Sequence, residues 1–291
     1  MKNIILPLVA LAAACACSCT QSAPEAPAQG EKTITFQIAN YEQTSLDSTG
    51  TRATSAASLA HLAMAVYDAA TLKPATTPTI QDAGQTGYGS FSLTLPYGDY
   101  VLVFLGYDNQ RTPDLSNPKQ ITFTDNYVPN LFSKSLRLKI DEAAQGAQRV
   151  SLSRSVACFS LVCEDATPTS LSSLNYTIQG GSGSLNALTG YASEVQERTF
   201  TFGSLTSWLG KKGMQVNLYT FLPGEECEMN FIIDAQDAKG KSLRTRTFKS
   251  VPMRINQRTR YTGPFFAVDA AAPQFTLELD SDEWTETTHN Y

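Results

Sequence analysis

Two histidines and six cysteines carry the richest chemistry in this chain, and their positions limit what that chemistry can be. His61 and His289 stand near opposite ends, so no Cys/His set has the spacing of a metal centre and no set has that of a hydrolytic triad. His61 borders an apolar stretch and reads as a half-buried packing residue. Asp280, Asp282 and Glu283 cluster near the C-terminus, but the Gly and the distal Glu of a calcium loop are missing, which leaves a solvated acidic turn. The glycine run at 180–183 (GGSG) lacks the strand-to-helix setting and the Lys of a phosphate-cradling loop. Nothing singles out a pair of carboxylates for glycoside hydrolysis. With no convergent site, the expectation is a protein that is not an enzyme and uses no metal or cofactor.

The cysteines fall into two groups. Cys158 and Cys163 lie five apart on a strand, hence on opposite faces, and cannot pair without a bend. Cys227 could pair with either, but as an odd set these three read as buried small hydrophobes. Cys15, Cys17 and Cys19 instead follow an apolar run at 4–14 that has only Lys2 ahead of it, the layout of a signal peptide and too short to span a bilayer. Small residues directly before a Cys resemble the lipobox of bacterial lipoproteins, in which the thiol is diacylated. Cys19, preceded by Ala16, Cys17 and Ser18, is the first candidate and Cys17 the alternative; neither has a Leu three residues before it, and a signal cleaved without lipidation is the competing reading. Several acyl chains would hold the protein firmly, since each buried CH₂ contributes about 0.8 kcal/mol.

One further group suggests processing. Arg52 is the only cation in the small-residue stretch 42–58, which lacks hydrophobic periodicity and reads as an exposed loop. An arginine-specific cut between Arg52 and Ala53 is one reading and an ordinary surface Arg the other.

The elements that carry these residues read as strands. The stretch 148–164 (QRVSLSRSVACFSLVCE) alternates Val150, Leu152, Arg154, Val156, Cys158 and Val162 against Ala157, Phe159, Leu161 and Cys163, and both faces turn apolar toward its end. That predicts a doubly buried strand opening a second sandwich, with 141–146 (DEAAQG) as the joint before it. Strands are also predicted at 33–40, 59–68, 119–124, 135–140, 172–178, 198–202, 215–222, 228–234, 242–251 and 274–279. The segments 91–95 and 100–106, joined by the Pro96-Tyr97-Gly98-Asp99 turn, predict a hairpin. The polar stretch 256–263 is taken as an approach to the last segments. No stretch is long enough for an amphipathic helix, so the fold class is all-β.

Bulk properties agree with an exported β protein. Hydrophobic residues make up 42% and aromatics 10% of the 291 residues, enough for packed cores, while charged residues make up only 17%. The net charge of −5, with no basic stripe, argues against a nucleic-acid partner. After a leader at 1–18, about 270 residues remain, beginning with a Pro/Ala/Gln tether at 19–32, and that is more than one all-β core usually organises. The expected division is 33–146 and 147–291.

Several segments together resemble a known family: the lipoprotein leader, the strand TITFQIAN, the Thr-Arg loop, the LPYGDYVLVFLGYDN segment, the SLSRSVACFSLV strand and the terminal QFTLELDSDEW. The chain is similar in layout to the fimbrillin-like fimbrial subunits of Bacteroidetes, which build type V pili. The resemblance implies two tandem transthyretin-like (Greek-key) β-sandwich domains. It also implies a surface-exposed lipoprotein of the cell outer membrane and a role in a fimbrium, with other fimbrial subunits and ligands on host or bacterial surfaces as partners. In the family's shaft subunits an arginine-specific protease removes the first strand; carried onto this chain, that makes Arg52-Ala53 the processing bond, 33–40 the strand released, and Phe275, Leu277, Leu279 and Trp284 the strand donor. A length of 291 residues favours instead the anchor or accessory type, which keeps its lipid, while the Thr-Arg loop points to the shaft type. Strand addition satisfies unpaired backbone groups and buries alternate side chains. The rival expectation is a surface glycan-binding lipoprotein of a polysaccharide-uptake system, with Trp208, Tyr88, Tyr97 and Tyr107 as candidate platforms.

Overall fold

The computed structural model describes residues 30–43, 52–54, 59–203, 205–267 and 275–280, and it is all-β. The first strands are β1 (Glu31–Gln43), β2 (Arg52–Thr54), β3 (His61–Asp68), β4 (Thr79–Asp82), β5 (Ser90–Pro96), β6 (Gly98–Tyr107), β7 (Pro113–Asp114), β8 (Thr122–Phe123), β9 (Leu131–Ile140) and β10 (Ala147–Arg154). Eight of them form one sheet in the order β2-β1-β10-β9-β6-β3-β4, with β5 paired to β1. The chain continues as β11 (Ala157–Cys163), β12 (Leu171–Gln179), β13 (Leu185–Asn186), β14 (Tyr191–Ala192), β15 (Arg198–Phe202), β16 (Met214–Thr220), β17 (Glu226–Asp237), β18 (Ser242–Arg254), β19 (Arg258–Gly263) and β20 (Thr276–Asp280). Eight of these make two four-stranded sheets, β16-β11-β19-β20 and β15-β12-β17-β18, and β13 pairs with β14.

Three apolar cores hold the layers. In the first, the eight-stranded sheet folds over itself: Ile34, Phe36 and Ile38 of β1 meet Leu62, Met64, Val66, Leu102 and Phe104, with Phe36 and Phe104 ring centroids 5.3 Å apart. In the second, Phe159 of β11 stacks on Phe231 of β17 at 4.2 Å between the two four-stranded sheets. The third lies between these halves, where Ala63, Ala65, Tyr67, Val101, Val103 and Leu105 pack on Val156, Cys158, Tyr219 and Phe221. Tyr67 also donates its hydroxyl to the Leu115 carbonyl at 2.8 Å. Strands β3 and β6 are therefore buried on both faces, which accounts for their near-continuous apolar sequences.

Three expectations change. The stretch 148–164 is two strands, because the chain leaves the first sheet at Ser155 and enters another: β10 runs parallel to β1 and pairs with β9, while β11 pairs with β16 and runs parallel to β19. Alternation passes through the crossing unbroken, so periodicity alone does not reveal it. The hairpin predicted at 91–106 is an arch. β5 pairs with β1 and β6 with β3 and β9, so the Pro96–Gly98 turn carries the chain across the first core rather than along one sheet, and Phe91 meets Phe104 edge-on at 6.2 Å. The polar stretch 256–263 contains β19, an interior strand whose Arg258 and Thr259 are buried.

Cys158 and Cys163 are buried on opposite faces of β11, in the third and second cores respectively, and with Cys227 they are free. Burial pushes the Cys163 thiol well above its usual range, and that of Cys227 up as well. Iodoacetamide at neutral pH should therefore leave Cys158 and Cys163 unmodified in the native protein and label both once it is denatured, as read by intact mass. Phe159→Ala should cost about 3–5 kcal/mol in urea unfolding, since it empties the centre of the second core.

Candidate functional site

β1 is an interior strand. One edge pairs with β10 from Thr35 to Glu42, and the other pairs with β5 from Glu31 to Gln37 and then with β2 from Tyr41 to Gln43. The Arg52-Ala53 bond, expected in a loop, lies within β2, opposite Gln43 and Glu42 on the outermost strand of the sheet. A protease would have to peel that three-residue strand off before reading it. Cleavage there would not free β1 by itself, because the rest of its ladder and three buried side chains, Ile34, Phe36 and Ile38, still hold it.

β20 is the opposite case. It ends its sheet, paired only with β19 among the described strands. Leu277 stands opposite Tyr261 and Leu279 opposite Thr259, so both leucines share the face that lines the second core. They nevertheless overhang it, 44% and 54% exposed. Phe275, on the same row, is the one that packs, against Phe248 at 5.0 Å. Arg260 and Glu278 meet across the outer face at 3.5 Å.

The chain leading to β20 is fixed at one place. The Asp165 carboxylate accepts the Phe265 and Phe266 amides at 2.9 and 2.6 Å. Arg246 of β18 donates to the Phe265 and Ala267 carbonyls, both at 2.9 Å. With Phe265 and Phe266 buried as well, the path is anchored up to Ala267. Nothing in the sequence around Asp165 marks this role.

A second feature escaped the sequence reading, a cleft of about 520 Å³ between β9 and β10 on one side and the β13–β14 and β17–β18 regions on the other. Arg154, 5% exposed, lies in its wall. Asn130 and Asn256 side-chain oxygens accept from its Nε and Nη1 at 3.0 Å each, and its guanidinium lies 4.7 Å over the Phe132 ring. Ser133 and Ser155 share a buried hydrogen bond of 2.6 Å beside it, and the Tyr191 hydroxyl donates to Glu225 at 2.9 Å. The available signal was Arg154 itself, a cation in the inward row of Val150 and Leu152.

The structure groups Phe275, Leu277 and Leu279 on one edge and places Arg52 and Ala53 in a different sheet, so the two predicted ends do not meet. Cys17, Cys19 and Trp284 lie outside the described residues. Of the four aromatics proposed as a sugar platform none is exposed: Tyr107 is 2% accessible, Tyr88 donates to the Leu59 carbonyl, Tyr97 packs on the first core and Trp208 on the second. No group of three or more metal-ligating side chains occurs among the described residues, and none of their helices is long and apolar enough to cross a membrane.

A model of a family of unknown function, DUF6562, matches residues 27–289. No curated protein matches the chain. Among solved structures, the chain is similar to one from Bacteroides ovatus ATCC 8483 provisionally named a cell adhesion protein, at 14% identity over 86% of this chain and 98% of that one, TM-score 0.49. It is also similar to the fimbrial anchor protein Mfa2 of Porphyromonas gingivalis, at 8% identity over 87% and 98%, TM-score 0.45. The tip fimbrial protein Mfa3 of the same organism gives 8% identity over 87% and 99%, TM-score 0.39.

Asp165→Ala should speed hydrogen exchange at the Phe265 and Phe266 amides by about tenfold or more while leaving β12 and β17 protected, because each amide loses a charge-assisted acceptor. Native-state exchange read by mass spectrometry checks this.

Proposed function

The chain belongs to the DUF6562 family, and from that premise we propose that it is a structural subunit of a surface fimbria, of the outer-membrane-anchored or accessory type, joined to its neighbours by β-strand addition. The observation that carries this reading is β20, an edge strand whose Leu277 and Leu279 lie in a core-facing row yet stay about half exposed. Covering them would contribute about 2 kcal/mol for the pair. An added strand would also satisfy the open backbone edge of β20.

Two further features support the anchored type. The leader ends in Cys17 and Cys19, each behind small residues, which suits diacylation and retention at the outer membrane. β1 is held on both edges and contributes three core side chains, an arrangement suited to a strand that stays in place and links the fold to its tether. Two sandwich units, one on each side of the third core, would put the tether and the open β20 edge in separate layers, one for the membrane and one for the next subunit.

N-terminal analysis of the surface form should find lipidated Cys19, or Cys17; a free Ala53 would reassign the chain to the processed shaft type. Deleting residues 275–291 should abolish the high-mass ladder on gels of unboiled envelope fractions and leave a folded single subunit. A ladder that survives the deletion would sink strand addition through this end.

A further inference from the structure

On the fimbrial reading above, on which this inference rests, a subunit that continues a line of subunits needs two different contact surfaces, because an edge that pairs with its own copy closes at two. β20 supplies one surface. It is poorly suited to pairing with itself: the antiparallel match that uses all five of its residues sets Glu278 opposite Glu278 of the second copy, and like charges directly opposite repel. The receiving edge therefore lies elsewhere.

β15 has the matching pattern. It ends the other sheet of the second sandwich, paired only with β12 among the described strands. Like β20 it is five residues long, and it alternates partly buried Phe200 and Phe202, which pack on the second core, with exposed Thr199 and Thr201. Val195, 53% exposed, stands three residues ahead of it. Of the four large hydrophobics exposed among the described residues, two are thus on β20 and one leads into β15. The two edges cannot meet within one copy. β20 lies over β18, through Phe275 on Phe248, and β18 is the far end of the sheet that β15 begins.

When the leucine row of β20 is laid beside the phenylalanine row of β15, in either strand sense, Glu278 falls beside Thr201, a hydroxyl instead of a second carboxylate. Four apolar side chains then share one row. A one-residue slip would turn the leucines to the wet face, so the register is fixed. Joined in this way, the sheet β16-β11-β19-β20 of one copy runs on into β15-β12-β17-β18 of the next, and β1 with its tether takes no part. We propose that β15 is the receiving edge for β20 of a second copy of this chain, a head-to-tail contact that repeats without closing.

The test follows the full chain, carrying Cys17→Ser and Cys19→Ser so that it stays in solution, by sedimentation over a series of concentrations at about 0.1 M salt. Its mass should climb past two copies, and Leu279→Lys, a charge placed in the apolar row, should stop that growth. Thr201→Glu sets a second carboxylate beside Glu278 and should weaken association about two- to fivefold, whereas Thr201→Lys should strengthen it by a similar factor. Thr201 is exposed, and both variants lose the same 2.6 Å hydroxyl bond to Asn175, so a merely structural role would move them alike. In a Glu278→Lys background the order of the two should invert. Growth that ends at two copies, or growth that Leu279→Lys stops but that ignores the charge at 201, would overturn this pairing and leave strand addition through β20 standing. No growth at all, or growth untouched by Leu279→Lys, would overturn both together.

Discussion

An apolar layer shared by both halves is the constraint on which the rest of the molecule depends. β3 and β6 turn Leu62, Met64, Val66, Leu102 and Phe104 to the first core, and Ala63, Ala65, Tyr67, Val103 and Leu105 to Cys158, Tyr219 and Phe221 of the second half. A strand buried on both sides cannot slip or rotate without exposing one set of side chains or the other. Because β3 and β6 are such strands, the first sheet and the pair of smaller sheets are held in one relation. That relation creates the polar cleft, since its wall is drawn from β9, β10 and the turns of the second half.

The two ends of the chain meet this framework differently. β1 is built in: Ile34, Phe36 and Ile38 are within a few per cent of full burial, and the strand has hydrogen-bonded neighbours on both edges. β20 is added on: among the described strands it has one neighbour, and it carries two half-exposed leucines behind one packed aromatic, Phe275. The Asp165 and Arg246 contacts mark where the integrated part stops, because they hold Phe265 to Ala267 by side chains that themselves belong to the second sandwich. Local stability should follow the same gradient, high at β1 and low at β20.

Much of the architecture was legible. The alternation at 59–68, the apolar run at 100–106 and the wet face of 135–140 gave strands where strands lie, and the opposite-face placement of Cys158 and Cys163 followed from period two alone. What could not be read was partnership. The Pro96–Gly98 turn specifies a reversal, but whether β5 and β6 pair with each other depends on β1, more than fifty residues earlier, capturing β5. β19 was hidden by its composition, since Arg258 and Thr259 are buried in the middle of a sheet. The cleft draws on five separated segments, and only the cation at 154 in an apolar row announced it.

β1 runs parallel to β10 and antiparallel to β5, flanked along most of its length. A pull along its axis from Glu31 therefore loads those hydrogen bonds in shear, so that many must rupture together. The same pull perpendicular to a ladder would open it one bond at a time, like a zipper. Drag transmitted through the amino end would thus meet two ladders loaded in shear together, whereas β20 is held by a single five-residue ladder.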